Sequence, residues 1–266
     1  MIDIKGFKSF LIEEELSENT RESYIWTMER FSEQYSEFNK ENAILFKADY
    51  VKKSSPKTVN NRISALEKYA KFVGCPLHLK RIKVHKISSV ENVIKPDQYK
   101  MLVDQLREVK NYRMLIIIML MAKTGGRISE VLRYRKCDIK NGYVDMKTKG
   151  KTRRIYFPKS LRDDISEYIA DLNDNDLLCR NRFGESITSR GVDENLKTLG
   201  KKLNIPSEVM HAHSFRHFFA IEFLKRNNNI SLLADLMGHS GVNTTMIYLR
   251  RSQEEQKRAI DEAVNW

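Results

Sequence analysis

The chain has 266 residues, 41% hydrophobic and 31% charged, enough for one or two domains with real cores. Its 47 basic against 35 acidic side chains leave a net charge of +12, which favours a polyanionic partner. The longest apolar run, Met114 to Ala122, is nine residues, far short of the ~20 that span a bilayer, and MIDIKGFKSF lacks the apolar core of a secretion signal. No membrane partner is therefore expected, and the cytoplasm is the expected compartment. Cys75, Cys137 and Cys179 are odd in number and widely spaced, which suits reduced packing residues rather than metal ligands.

Residues 1–88 pattern as an all-helical module. Phe7 to Glu15 predicts a first helix, and Asn19 with Glu22 a capping box for a helix through Tyr24, Met28, Phe31 and Tyr35. Pro56 after Ser55 opens a helix with Val59, Ile63, Leu66, Ala70 and Val73 on one apolar face; Gly74 and Pro76 stop it. Residues 1–46 carry five basic and ten acidic side chains, whereas residues 47–90 carry eleven and two. Lys52, Lys53, Lys57, Arg62, Lys68 and Lys71 lie on and around that helix. They form either a solvated face or a surface that tracks the DNA backbone. Residues 78–95 have weak periodicity and mixed polarity, so a linker is placed at 89–95.

Pro96 opens a second module, 96–266. Tyr112 to Ala122 is apolar nearly all round and should be a buried helix. It runs into TGGRISEVL, where Gly125 and Gly126 allow close backbone approach. Arg127, with Glu130 three residues on, is placed either to clamp phosphate or to pair with Glu130. Asn141-Gly142 is a hairpin signal. With Tyr143 to Lys147, a polar turn and Arg153 to Phe157, it predicts a small three-stranded antiparallel sheet. Residues 160–171 and 188–204 return to helical patterns, Gly191 and Gly200 weakening the second; RNRFGES at 180–186 is a loop without a specific signal.

The segment from His211 to Arg250 carries the chemistry. His213 and Arg216 share a helix face, and Phe218, Phe219, Ile221, Phe223 and Leu224 supply core. Ser231 to Met237 predicts a short helix capped by Gly238, with His239 directly after it. Asn243, Thr244 and Thr245 are caps for a further helix bearing Tyr248. A cation, two imidazoles and a phenol around one point suit chemistry on phosphate. Ser252 to Val264 predicts a tail helix with Ala259, Ile260, Ala263, Val264 and Trp266 on its apolar side; a helix so short must dock to be stable.

HSFRH, LMGHS and a tyrosine nine positions after His239 resemble the C-terminal signature of the tyrosine recombinases, the phage integrase and Xer family. TGGRISEVL resembles that family's first-arginine motif and TKGKTRR its β-hairpin lysine motif. TRESYIWTMERF and SPKTVNNRISALEKYAKFV resemble its core-binding domain. The resemblance covers nearly the whole chain. It implies a mainly α fold with a small antiparallel β-sheet in the C-terminal domain: a two-domain DNA clamp joining a helical core-binding domain to a catalytic domain.

It also implies six catalytic positions: Arg127, Lys149, His213, Arg216, His239 and Tyr248. Tyr248 would attack the scissile phosphodiester, forming a 3′-phosphotyrosyl bond and releasing a 5′-hydroxyl. Arg127 and Arg216 would stabilise the charge that develops, Lys149 would protonate the leaving oxygen, and His213 and His239 would position the phosphate and assist proton transfer. Lys151 competes with Lys149 for the hairpin role, and Lys151 and Arg153 join the candidate DNA contacts. Exchanging one phosphodiester for a phosphotyrosine conserves bond energy, so neither cofactor nor metal is expected. The implied partner is double-stranded DNA, engaged by four copies of the chain that exchange tail helices and act through a Holliday junction, with nucleoid association following. The chain starts at the core-binding helices, which points to an Xer-like or small mobile-element recombinase. A type IB topoisomerase-like nicking enzyme and a catalytically silent DNA-binding regulator of the same fold are the alternatives.

Overall fold

The structure, a computed structural model, describes residues 2–84, 92–148, 151–181, 183–239, 241–249 and 260–264. The chain divides into two compact units, Met1–Lys86 and Ile87–Trp266.

Four helices build the first unit: α1 (Ile4–Glu13), α2 (Glu18–Ser32), α3 (Lys40–Lys53) and α4 (Pro56–Phe72). The Asp3 carboxylate caps α1 by accepting from the Gly6 N–H at 2.8 Å. The second helix starts earlier than the expected Asn19–Glu22 box, because Ser17 already holds the extended cap conformation. The third has no counterpart in the sequence reading, although Ala43, Phe46 and Tyr50 are its buried residues at helical spacing. Ser55 and Pro56 open α4 as expected, the Ser55 side chain accepting from the Thr58 N–H. The core is aromatic, with Phe7 edge-on to Tyr69 at 5.0 Å and Phe31 against Phe46 at 5.2 Å. Part of the weakly periodic stretch 78–95 belongs to this unit. Leu79 is buried in its core, and Asn60 exchanges two hydrogen bonds of 2.8 Å with the Ile82 backbone.

The second unit opens with α5 (Pro96–Glu108) and α6 (Tyr112–Thr124). Every residue from Met114 to Ala122 is buried, as an all-apolar helix requires. Two short helices follow, α7 (Ile128–Val131) and α8 (Lys136–Asn141), then strands β1 (Tyr143–Thr148) and β2 (Lys151–Tyr156). Among the described residues the sheet has two strands, not three. Asn141-Gly142 is no hairpin: Gly142, at φ 80°, caps α8 in the left-handed region, a task that calls for the same residue pair as a tight turn. The register sets Val144 opposite Ile155 and Met146 opposite Arg153.

Four more helices follow: α9 (Lys159–Ile165), α10 (Ser189–Lys202), α11 (Ala212–Arg226) and α12 (Ile230–Met237). Gly238, at φ 62°, caps α12 as expected. The expected helix around Tyr248 is replaced by two 3-10 turns, Val242–Thr244 and Met246–Tyr248. Thr245 and Tyr248 each donate only three residues back, to Val242 and Thr245, and Asn and Thr are poor helix formers away from caps. The Ile94 N–H donates to Ser214 Oγ at 2.9 Å, so the approach to α5 is tied onto α11. Residues 260–263 are helical, with Ile260 and Val264 exposed; the rest of the expected tail helix lies outside the described residues.

Candidate active site

The site forms where three chain turns meet the N-terminal half of α11. The first is the glycine turn after α6. Gly125 takes φ 63°, and a Cβ there would strike the Phe219 ring of α11. A Cβ on Gly126 would strike Tyr134 Oη and crowd Val131. The two glycines therefore let α6 end directly against α11, and the freed Gly125 carbonyl accepts from Arg216 Nη1 at 2.7 Å.

Arg216 is buried, with 2% of its surface exposed. Its Nη2 donates to the Met237 carbonyl at 2.6 Å and to His239 Nε2 at 3.2 Å. A guanidinium has only protons to offer, so His239 Nε2 must accept. The ring proton then sits on Nδ1 and donates to Thr245 Oγ1 at 2.7 Å. Burial, with Arg127 and Arg153 nearby, lowers the Arg216 pKa to about 10. It stays charged at neutral pH, and an incoming anion would relieve the repulsion.

Arg127 reaches the same place from the other side. Its Nη2 donates to the Gly238 carbonyl at 3.1 Å, next in the chain to the carbonyl that Arg216 holds. The two expected guanidinium groups thus converge on one helix end. Glu130 fixes Arg127: its carboxylate accepts from the Arg127 N–H at 2.7 Å and from Nη1 at 3.2 Å. The same carboxylate accepts from Arg153 Nε at 3.2 Å and pairs with Arg153 Nη2. Burial would raise the Glu130 pKa, but the hydrogen bonds from Arg153 and the Arg127 backbone outweigh it and hold the carboxyl below its ordinary value. Three arginines around one carboxylate leave a surplus of positive charge, an environment suited to a phosphodiester.

Arg153 was expected to touch DNA; its side chain is only 10% exposed and turns inward. Alternation along β2 explains this, since Arg153 and Ile155 share the face that holds Val144 and Met146. Arg154 faces out, bonded twice to Asp145 at 2.8 and 2.9 Å.

Tyr248 is half-buried against a small cluster of Ala220, Leu224, Leu233 and Met237. Its hydroxyl lies 2.7 Å from His217 Nδ1. His217 was missing from the sequence-derived site. It follows Arg216 directly and sits four residues after His213, so the i, i+4 spacing in HSFRH was the available signal. His213 meets the His217 ring edge-on, 4.2 Å between centroids. Burial first, then Arg216, lowers the His239 pKa to about 4, so that imidazole is neutral at physiological pH. Lys149 lies outside the described residues; Lys151 begins β2, opposite Thr148.

The basic residues of the first unit divide into two groups. Lys52 and Lys57 are exposed. Lys53 pairs with Asp49, and Lys68 and Lys71 both pair with Glu14, at 3.0 and 2.7 Å. Arg62 lies over the Trp26 ring at 4.2 Å and donates to Thr27 Oγ1 at 2.7 Å. Among the described residues, no group of three or more His, Cys, Asp or Glu is placed to hold a metal ion, and no helix is long and apolar enough to cross a membrane.

Comparison with known proteins follows the same lines. The sequence model of the phage integrase family matches residues 92–255. The chain is 29% identical over 270 residues to the tyrosine recombinase XerA of Thermococcus kodakarensis, covering 98% of this chain and 94% of the relative. It is 27% identical to the XerA of Pyrococcus furiosus, covering 98% and 93%. Its fold is shared with the XerH site-specific recombinase in a post-cleavage complex with a palindromic difH substrate. That match has a TM-score of 0.73 at 19% identity and covers 91% of this chain and 79% of the other.

Proposed function

Because this chain belongs to the phage integrase family and is a tyrosine site-specific recombinase, we propose that it cuts and rejoins duplex DNA through a covalent 3′-phosphotyrosyl intermediate on Tyr248. The observation that carries this is the convergence of Arg127 and Arg216 on consecutive carbonyls, Gly238 and Met237, with His239 and the Tyr248 turn beside them.

The scissile phosphate displaces the two carbonyls as the guanidinium partner. In-line attack by Tyr248 Oη then builds charge on the non-bridging oxygens, and each preorganised donor there contributes roughly 3–4 kcal/mol. A phenol near pKa 10 needs such help, and more so here, because burial pushes Tyr248 up to about 12. Phosphate binding sets Arg216 beside the developing phenolate and the transferring phosphorus together. Lys149, or Lys151, protonates the 5′ oxygen as it leaves. His213 positions the phosphate, and His239 does so once Arg216 turns to the phosphate and the ring proton shifts to Nε2, Thr245 then donating to Nδ1. Phosphodiester and phosphotyrosine exchange at equal bond order, so strand transfer needs no external energy source.

Lys52 and Lys57 supply phosphate contacts from the first unit, with Lys53, Lys68 and Lys71 exchanging their carboxylate partners for phosphates. Four copies act on two DNA sites through a Holliday junction, the tail of one seated on the next. A DNA substrate nicked beside the cleavage position tests the chemistry. The wild type should trap a protein–DNA adduct, and Tyr248→Phe should bind DNA without forming it. An adduct that persists in Tyr248→Phe removes Tyr248 as the nucleophile. Junction products from two intact duplex sites separate recombination from simple nicking.

A further inference from the structure

The Tyr248 hydroxyl bonds to neither guanidinium group nor His239; its hydrogen bond is to His217 Nδ1, 2.7 Å away, with the two rings 5.4 Å apart and tilted by 57°. The alternative partners are engaged elsewhere. Arg216 commits three of its five donors to Gly125, Met237 and His239, and the other nitrogen of His239 is held by Thr245. The Tyr248 ring meanwhile packs on the apolar cluster between α11 and α12. His217 is fixed in turn by its place on α11, with His213 edge-on to its ring.

Such a bond can do one of two things: take the phenolic proton, or hold the phenol in place. The surroundings of the two rings favour the second. Burial lowers the His217 pKa to about 3, with His213, His211, Arg216 and His239 adding to the effect, while burial pushes Tyr248 up to about 12. Both shifts oppose proton transfer across this contact, since each favours the neutral form of its group. The bond joins a neutral phenol to a neutral imidazole, with the phenol donating because the imine nitrogen is the better acceptor.

We infer that His217 is a positioning residue that parks Tyr248 as an unreactive phenol on α11 in the DNA-free protein, and that productive DNA binding must break this bond to bring the hydroxyl to the phosphorus between Arg127 and Arg216. The inference rests on Tyr248 being the nucleophile. It assigns His217 a restraining role, opposite in sign to that of a general base.

Single-turnover cleavage of a nicked DNA substrate at limiting DNA concentration tests it, with His217→Phe and His217→Asn compared with wild type. Losing one neutral hydrogen bond from the resting state should raise the rate of adduct formation in H217F roughly 2- to 10-fold. H217N, whose amide oxygen keeps an acceptor there, should reverse most of that gain. An unchanged rate in H217F overturns the restraint. A fall of roughly 10²–10⁴ overturns it too, and makes His217 a proton acceptor instead. Should H217F fold poorly, imidazole ¹⁵N shifts of the DNA-free protein give a second readout. One ring nitrogen should move on Tyr248→Phe, and the same nitrogen should move when wild type binds an uncleavable duplex; no movement in either case rejects the contact. A wild type that forms no adduct, or an adduct that survives Tyr248→Phe, sinks the nucleophile itself. An adduct that needs Tyr248 but ignores His217 sinks the restraint alone.

Discussion

Replacing Glu130 by Ala tests how the arginine cluster is held. The Glu130 side chain is 4% exposed and Arg153, its closest partner, 10%. Removing the carboxylate strands a buried guanidinium and leaves the Arg127 N–H without its acceptor. Truncating one partner of a buried pair costs about 3–5 kcal/mol. Arg127, at 37% exposure, is screened by solvent and adds little to that figure. Glu130→Gln keeps the shape and one acceptor oxygen, so its loss should be smaller, about 1–3 kcal/mol. Urea unfolding followed by circular dichroism reads both losses as lower midpoints at unchanged slope. Adduct formation should fall with them, because Arg127 loses the group that aims it. An Ala variant within about 1 kcal/mol of wild type would refute the claim that Glu130 organises the site.

Arg216→Lys should reduce adduct formation by roughly 10²–10³, because an ammonium cannot span Gly125, Met237 and His239 as the planar fork does; DNA binding measured by gel shift should survive. Gly126→Ala should cost about 1–3 kcal/mol in urea unfolding, since the added methyl meets Tyr134 and Val131. His217 and His239 fold with pKa values of about 3 and about 4, below the ordinary 6.5. The unfolded chain therefore binds more protons between those values, and stability should be full above pH 6.5 and decline as pH falls toward 4. A urea midpoint that is flat between pH 7 and pH 5 would contradict the burial of both rings.

Much of this was legible before any coordinates. The nine apolar residues from Met114 to Ala122 read as a buried helix because no face was left for water. Gly238 read as a cap because little else tolerates that backbone angle. The arginines, His239 and Tyr248 were singled out by resemblance to the family's motifs, and the structure sets Arg127, Arg216 and His239 at the end of α12. What the sequence did not show has physical causes. Asn141-Gly142 suits both a hairpin and a helix cap, and local chemistry cannot choose between them. The inward turn of Arg153 depends on a strand register that sets it opposite Met146, which the sequence alone does not fix. The pairing of Lys68 and Lys71 with Glu14, more than fifty residues away, could not be read from the sequence. His217 was overlooked because its partner, the Tyr248 hydroxyl, arrives from a turn 31 residues on.

The most direct test is to map the covalent link itself. Wild-type protein trapped on a nicked duplex, digested with protease and nuclease, should yield one nucleotide-bearing peptide, with the added mass on Tyr248 and the nucleotide joined through its 3′ phosphate. A nucleotide on any other side chain, or a link through a 5′ phosphate, would contradict the account at its centre.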